Sequence, residues 1–201
     1  MSALRRGLFA TTLVAVLLAV ASRRAVADAP EAAVPSGALT GFAYLRLGYE
    51  GRPAAPGLGG PGFALGGRFE LGPVGADLSI LNLTADSEAA GEGFSGAVFR
   101  VLGLWMVTPA RARSLYCGVG LEMIGSKGLL GPGDRLYTGQ GSHAVATVGY
   151  ELRRARTFRL FGQLEGLVPL YSLETVQGER DRHLHLYLML SIGLGLGGAT
   201  S

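Results

Sequence analysis

The stretch from His183 to Leu196 constrains this chain more than any other, because Leu184, Leu186, Leu188, Leu190, Ile192, Leu194 and Leu196 fill every second position. Between them stand His183, His185, Tyr187, Met189, Ser191, Gly193 and Gly195. Side chains alternate between two faces in an extended strand, so the segment reads as a two-faced β-strand. A transmembrane helix is the competing reading, since the run is apolar overall. Leucine at every second position would wrap right around a helix, however, and the interleaved glycines would weaken it. The run also falls short of the roughly 20 residues that a helix needs to cross a bilayer.

The same period recurs upstream. Ala43, Leu45, Leu47 and Tyr49 alternate with Tyr44, Arg46 and Gly48, and Phe63, Leu65, Phe69 and Leu71 alternate with Gly66, Arg68 and Glu70. Leu115, Cys117, Val119, Leu121 and Met123 oppose Tyr116, Gly118, Gly120 and Glu122, while Ala144, Ala146, Val148 and Tyr150 oppose His143, Thr147 and Glu151. Strands are expected near 40–50, 62–71, 74–83, 95–107, 114–124, 142–152, 157–168 and 183–196. The connections between them, roughly 51–61, 72–73, 84–94, 108–113, 125–141, 153–156 and 169–182, alternate long and short. Transmembrane barrels are built in this way, with short turns on one side and longer loops on the other. The expected fold is therefore all-β, an antiparallel up-and-down transmembrane β-barrel of about eight strands. The long connections 125–141 and 169–182, rich in Gly or charge and without periodicity, are expected to be external and mobile.

The N-terminus carries Arg5 and Arg6, an apolar run from Leu8 to Ala21, and Ala25-Val26-Ala27 before Asp28. That is the pattern of a secretory signal peptide, with cleavage expected after residue 27. Arg5-Arg6 faintly resembles a twin-arginine signal. A barrel that inserts from an unfolded state fits the general secretory route instead. The expected organisation is a signal peptide over 1–27, a leader over 28–38, the barrel over 39–197 and a tail over 198–201. No cysteine near the cleavage site supports a lipoprotein anchor.

Of 18 basic residues, four arginines lie in the signal, whereas all 15 acids lie after it. The exported chain is thus near neutral, and no basic face for nucleic acid is expected. Cys117 is the sole cysteine, which excludes an intramolecular disulfide and leaves it the role of a small apolar residue. Gly-rich runs such as Gly57-Leu58-Gly59-Gly60 and Gly128-Leu129-Leu130-Gly131-Pro132-Gly133 lack the Gly-Lys-Ser/Thr ending and following helix of a phosphate loop.

Alternation alone does not say which face meets lipid, but aromatic placement does. Phe69, Trp105, Tyr150 and Phe158 fall on the apolar face near the short turns, and Tyr49 and Phe63 on the same face near the long loops. Two aromatic girdles around an aliphatic band suit the two interfaces of a bilayer. The opposite face must then fill a narrow lumen, where charges need partners. Facing luminal residues across the three short turns predicts the pairs Arg68–Asp77, Arg100–Glu122 and Glu151–Arg159, with a structural, salt-bridged role. Leu102, Leu104 and Met106 share the luminal face with Arg100, the least regular part of the pattern.

The signal, the eight amphipathic segments and the alternating loop lengths resemble the small outer-membrane barrels of the outer-membrane protein A and X type over nearly all of 39–197. The resemblance implies residence in the outer membrane of a Gram-negative cell envelope. Its implied partners are outer-membrane lipids, lipopolysaccharide and the barrel-assembly machinery. It brings no catalytic or binding motif, and the barrel is expected to be porin-like in architecture but with a filled lumen. One departure is the C-terminus, which reads Gly198-Ala199-Thr200-Ser201 where that type usually ends on an aromatic.

The three histidines raise two sharper chemistries. His143, His183 and His185 could ligate a metal, but no accompanying Cys or carboxylate spacing supports it. With Ser142 or Ser191 and Glu165 they could form a lipid A deacylase, yet such an enzyme presents its nucleophile to lipid and these histidines have the opposite parity. A periplasmic lipocalin-like binding barrel is the remaining alternative. It needs polar outward residues that the charge-free aliphatic face does not provide. No enzyme activity, cofactor or metal is therefore expected, and no partner of the external loops is legible.

Overall fold

A computed structural model describes residues 37, 39–51, 59–86, 93–130, 136–181 and 186–199. The expected signal peptide, most of the leader, His183 and His185 lie outside the described residues. Eight long strands form the wall: β1 (Leu39–Gly51), β2 (Gly59–Leu71), β3 (Val74–Asp86), β4 (Gly93–Met106), β5 (Ser114–Leu130), β6 (Leu136–Leu152), β7 (Phe158–Pro169) and β10 (Tyr187–Ala199). Two short strands, β8 (Leu173–Glu174) and β9 (Arg180–Asp181), lie in the last long connection. Every long strand pairs antiparallel with its sequence neighbour in the wall, and β1 pairs with β10 from Thr40↔Ala199 to Gly51↔Leu188. The sheet is thus closed into an up-and-down barrel. Closure leaves the wall of eight long strands without an edge, which is what allows a sheet to sit in hydrocarbon.

The faces separate as the period demands. Outward lie Leu45, Leu47, Leu65, Ile80, Val119, Leu121, Val148, Leu164, Leu194 and Leu196, all more than a third exposed. Inward lie Arg46, Arg68, Arg100, Arg159, Glu151 and Glu165, all fully buried. A water-soluble barrel has the reverse polarity. The lipocalin-like alternative requires an apolar interior, and this interior is lined by guanidinium and carboxylate groups.

Room for the luminal rings comes from residues without side chains. A Cβ at Gly149 would enter the ring of Tyr116, at Gly193 the ring of Phe161, and at Gly195 the ring of Phe42. Small positions facing large ones let a narrow barrel fill without voids. Leu102, Leu104 and Met106 of β4 are luminal and pack with Tyr116, Val145, Leu167, Tyr187 and Met189. The irregularity expected in β4 is therefore a local apolar lining of one side of the lumen.

Several boundaries differ from the sequence expectation. β5 and β6 continue their ladder to Leu130↔Leu136, so most of 125–141 is strand rather than loop. An irregularity between Glu122 and Gly125 interrupts the alternation there, and backbone pairing carries on past it. The connection after β7 is likewise built rather than irregular: β8 pairs with β9, and Thr138 of β6 pairs with Glu174 of β8. At the other end, β10 runs to Ala199, so Gly198 and Ala199 belong to the wall rather than to a tail.

The first short turn is two residues long, with Leu71 facing Val74. Gly72 has φ 59, and the ring of Pro73 holds the next φ negative, which is the II′ pattern suited to the twist of a hairpin. The third short turn is wider than expected. Leu152 faces Leu160 and Glu151 faces Phe161, so Glu151 does not lie directly opposite Arg159. The cause is local: Arg153 takes φ 60 and its carbonyl accepts from the Arg156 N–H at 2.9 Å, which spreads the turn by two residues.

Leu45, Leu65 and Leu194 meet in register near the middle of the wall, whereas Leu188 pairs with Gly51 at the long-loop rim. Arginine at position 194 should cost about 2–4 kcal/mol, the range for a charge at a bilayer midplane, and arginine at position 188 distinctly less. Denaturant unfolding of both variants in lipid vesicles measures the difference. Equal and small costs would reverse the assignment of faces.

Candidate functional site

Among the described residues, the lumen concentrates buried ionisable side chains. Among the described residues it buries five arginines, Arg46, Arg68, Arg100, Arg154 and Arg159, against six carboxylates, Glu50, Glu70, Asp77, Glu122, Glu151 and Glu165. Near balance matters, because a buried charge without a partner costs several kcal/mol.

At the short-turn end, Glu70 Oε2 receives Arg154 Nη2 at 2.7 Å, Thr40 Oγ1 at 3.3 Å and Arg159 Nη1 at 3.4 Å. Arg159 Nη1 continues to Glu151 Oε1 at 3.1 Å, and Glu151 Oε2 accepts from Arg68 Nη1 at 3.2 Å. Arg68 then grips Asp77 Oδ2 through Nε at 3.1 Å and Nη2 at 2.9 Å. The Tyr44 hydroxyl donates to Asp77 Oδ1 at 2.6 Å. Toward the middle, Glu165 takes Arg46 Nη1 at 2.7 Å, Arg100 Nη1 at 2.6 Å and Gln163 Nε2 at 2.8 Å.

Aromatic rings complete the plug. The Arg68 guanidinium lies 4.4 Å from the Tyr116 ring centre and 4.6 Å from that of Phe161, and the Arg159 guanidinium lies 4.6 Å from Phe42. Phe42, Tyr44 and Phe161 meet edge to face or tilted, with centroids 5.2 to 6.3 Å apart. A planar guanidinium suits this setting, since it donates in its plane while its faces rest on rings.

The network reaches the long-loop rim through β5 and β6. Arg100 Nη1 is 3.8 Å from Glu122 Oε1, and Glu122 Oε2 is 3.3 Å from His143 Nδ1. His143 Nε2 lies 2.8 Å from the Tyr171 hydroxyl. Burial is the largest influence on Tyr171 and pushes its phenol up, with nearby Tyr187, Glu122 and Glu50 acting in the same direction. The phenol therefore keeps its proton and can donate it to the imidazole. Tyr171 precedes β8, and its ring covers the backbone at Gly139 and Gly141. The Leu170 N–H anchors the segment on the Ser142 carbonyl at 2.9 Å. Leu173 and Tyr137 pack together beside Tyr171, so the last long connection seats Tyr171 and Leu173 against β6.

Of the three pairs expected across short turns, Arg68 and Asp77 face each other in register, with two arginine nitrogens donating to the one oxygen Oδ2. Arg100 and Glu122 also face each other, but at 3.8 Å they are looser than Arg100 and Glu165. Glu151 and Arg159 meet at 3.1 Å on a diagonal rather than as opposed residues. The girdle residues Tyr49, Phe69, Trp105, Tyr150 and Phe158 are exposed on the outer face, and Phe63 is half-buried there. Phe69, Trp105, Tyr150 and Phe158 sit within a few residues of the short turns, and Tyr49 lies near the long-loop ends of β1 and β2.

Among the described residues the deacylase constellation is not assembled, and its His183 and His185 lie outside them. His143 engages Glu122 and Tyr171, Glu165 is held by two arginines, and Ser191 is buried on the luminal face of β10. Residues that turn-based pairing missed include Arg46, Glu70, Tyr44, Gln163 and Arg154. Arg46 and Glu70 carried the luminal parity and could have been found by it. Arg154 sits in a turn and carried no such signal.

Closed up-and-down strands, an apolar exterior and a charged, filled interior define an up-and-down transmembrane β-barrel. The sequence matches no protein-family model, and no curated protein matches it. Among solved structures, the N-terminal β-barrel domain of Pseudomonas aeruginosa OprF superposes with TM-score 0.44 at 14% identity, over 78% of this chain and 97% of that one. Neisserial surface protein A superposes with TM-score 0.49 at 10% identity, over 79% of this chain and 96% of that one.

Removing one member of the Arg68–Asp77 pair strands its partner in the lumen. Asp77→Ala and Arg68→Ala should each cost about 3–5 kcal/mol, and the double variant clearly less than their sum. Unfolding free energies of the four proteins in one lipid system give the coupling. A cycle with no coupling would remove the pair as a structural element. Gly193→Leu, which drives a side chain into Phe161, should cost about 1–3 kcal/mol or more without any change of charge.

Proposed function

We propose that this chain is an integral outer-membrane β-barrel, exported by the general secretory route after loss of residues 1–27, whose lumen is a structural plug rather than a passage. Its role is then structural or surface-interacting, exercised through the wall and the long-loop end. The observation that carries this reading is the polarity of the barrel. Aliphatic residues face outward around the wall, while five buried arginines tied to carboxylates occupy the interior, Arg68 and Arg159 also lying over aromatic rings. Eight-stranded barrels have interiors just wide enough to be filled by side chains, so ion transfer would require several of these contacts to open together.

Supporting the placement are the outward aromatics near both ends of the strands, suited to two membrane interfaces, and the assignment of short turns to the periplasm that such barrels share. The built connection 170–181 then lies on the cell exterior, where an exposed Val176 and the Arg180–Glu174 pair at 2.7 Å offer a surface to partners.

The reading is tested in cells and in planar bilayers. An epitope placed beside Val176 should be detected on intact cells, and the unboiled protein should migrate differently from the boiled protein on a denaturing gel. The purified barrel should show no steady conductance. Detection only after permeabilisation would invert the topology, and a stable open channel in the unaltered protein would remove the structural-plug reading.

A further inference from the structure

The short-turn end of the barrel carries a concentration of positive charge that the luminal network does not use. Arg111, in the turn between β4 and β5, and Arg153 and Arg156, in the turn between β6 and β7, are all exposed. The carboxylates nearest this end, Glu70 and Glu151, are buried and committed to Arg154, Arg159 and Arg68. At the opposite end the exposed Arg180 is matched by Glu174. Among the described residues, the exposed positive charge without a carboxylate beside it therefore gathers at the short-turn end.

These arginines are also held in place. Arg154, 2% exposed, sends Nη1 to the carbonyls of Thr108, Pro109 and Arg111 at 3.3, 2.9 and 3.3 Å, while Nη2 binds Glu70. Its own N–H donates to the Ala112 carbonyl at 2.9 Å. One buried side chain thus locks the two arginine-bearing turns side by side. Arg153, at φ 60, places its guanidinium 6.0 Å from the ring centre of Phe158, which is exposed on the outer wall. The Arg153 charge consequently lies at the margin of the apolar band beside Phe158, and the turns that carry Arg111 and Arg156 adjoin the strand ends from which Trp105, Tyr150 and Phe158 face outward. Aromatic rings of this kind sit at headgroup depth, so the guanidinium groups just beyond them reach the phosphate layer.

We propose that Arg111, Arg153 and Arg156 form a binding site for anionic phospholipid headgroups of the inner leaflet, held by Arg154. The inference rests on the membrane placement above, with the short turns toward the periplasm. Guanidinium groups recognise phosphate oxygens by charge and by paired N–H donors, which the neutral headgroup of phosphatidylcholine answers less well because its own ammonium repels them. A basic side chain near an anionic membrane surface strengthens association by about five-fold, so three acting together allow an enrichment of up to about a hundred-fold.

Trp105 provides the measurement, since it is the sole tryptophan of the chain and faces outward beside these turns. The mature barrel is inserted in phosphatidylcholine vesicles that contain a minor fraction of either brominated phosphatidylglycerol or brominated phosphatidylcholine, and Trp105 quenching is compared. Quenching by phosphatidylglycerol should exceed that by phosphatidylcholine several-fold or more, and should fall toward parity in the triple variant R111Q/R153Q/R156Q. The triple lysine variant should retain most of the preference, and salt should weaken it. Equal quenching by the two lipids in the unaltered protein, or an unchanged preference in the glutamine variant, would overturn the site. Loss of the preference on adding inorganic phosphate at matched ionic strength would assign the arginines to a free anion and likewise overturn it. Absence of quenching by either lipid would instead show that Trp105 does not meet a bilayer, and the membrane reading itself would fall with the site.

Discussion

The fold depends on burying charge without leaving it alone. In a barrel whose exterior faces hydrocarbon, the interior is where polar side chains can gather, and in an eight-stranded barrel it is too narrow for bulk water. An ion taken from water into such a space costs several kcal/mol unless an opposite charge and hydrogen bonds replace the solvent. Arg68 shows the solution: two nitrogens on Asp77, one on Glu151, and the guanidinium against the rings of Tyr116 and Phe161. The same logic repeats at Arg100 and Arg159, so the plug is a chain of shared carboxylates rather than a set of separate pairs.

That sharing couples strands that are far apart in sequence. Arg46 of β1 and Glu165 of β7 are 119 residues apart, and Arg68 of β2 reaches Glu151 of β6 across the lumen. Backbone ladders hold each strand only to its neighbours, whereas these contacts tie opposite sides of the wall. Glycines facing the rings of Phe161, Tyr116 and Phe42 provide the space in which they form. Steric fit and charge pairing are therefore one requirement here, since a side chain added at such a glycine displaces the ring on which a guanidinium rests.

The two ends of the barrel are built differently. At the short-turn end, Arg154 uses three backbone carbonyls and Glu70 to fix two turns, leaving other arginines exposed around them. At the long-loop end, β5 and β6 extend past the end of β7 and carry a docked hairpin, with Tyr171 joined to His143 and so to the interior network. Among the described residues, two turns joined by Arg154 with exposed arginines at one end thus contrast with a docked hairpin at the other.

Sequence by itself determined the strand period, the two faces and the outward aromatics, because alternation and parity are local properties of an extended chain. It also set the register of the first two short turns, where few residues separate the strands: Arg68 faces Asp77 and Arg100 faces Glu122 as the parity required. It did not determine the third turn, where the positive φ of Arg153 widens the connection, nor the continuation of β5 and β6 past an irregularity that breaks the alternation. Only the closed barrel decided which carboxylate serves which arginine across the lumen. That choice depends on strand tilt and stagger, which are properties of the whole wall, and the preference of Arg100 for Glu165 over the facing Glu122 follows from them.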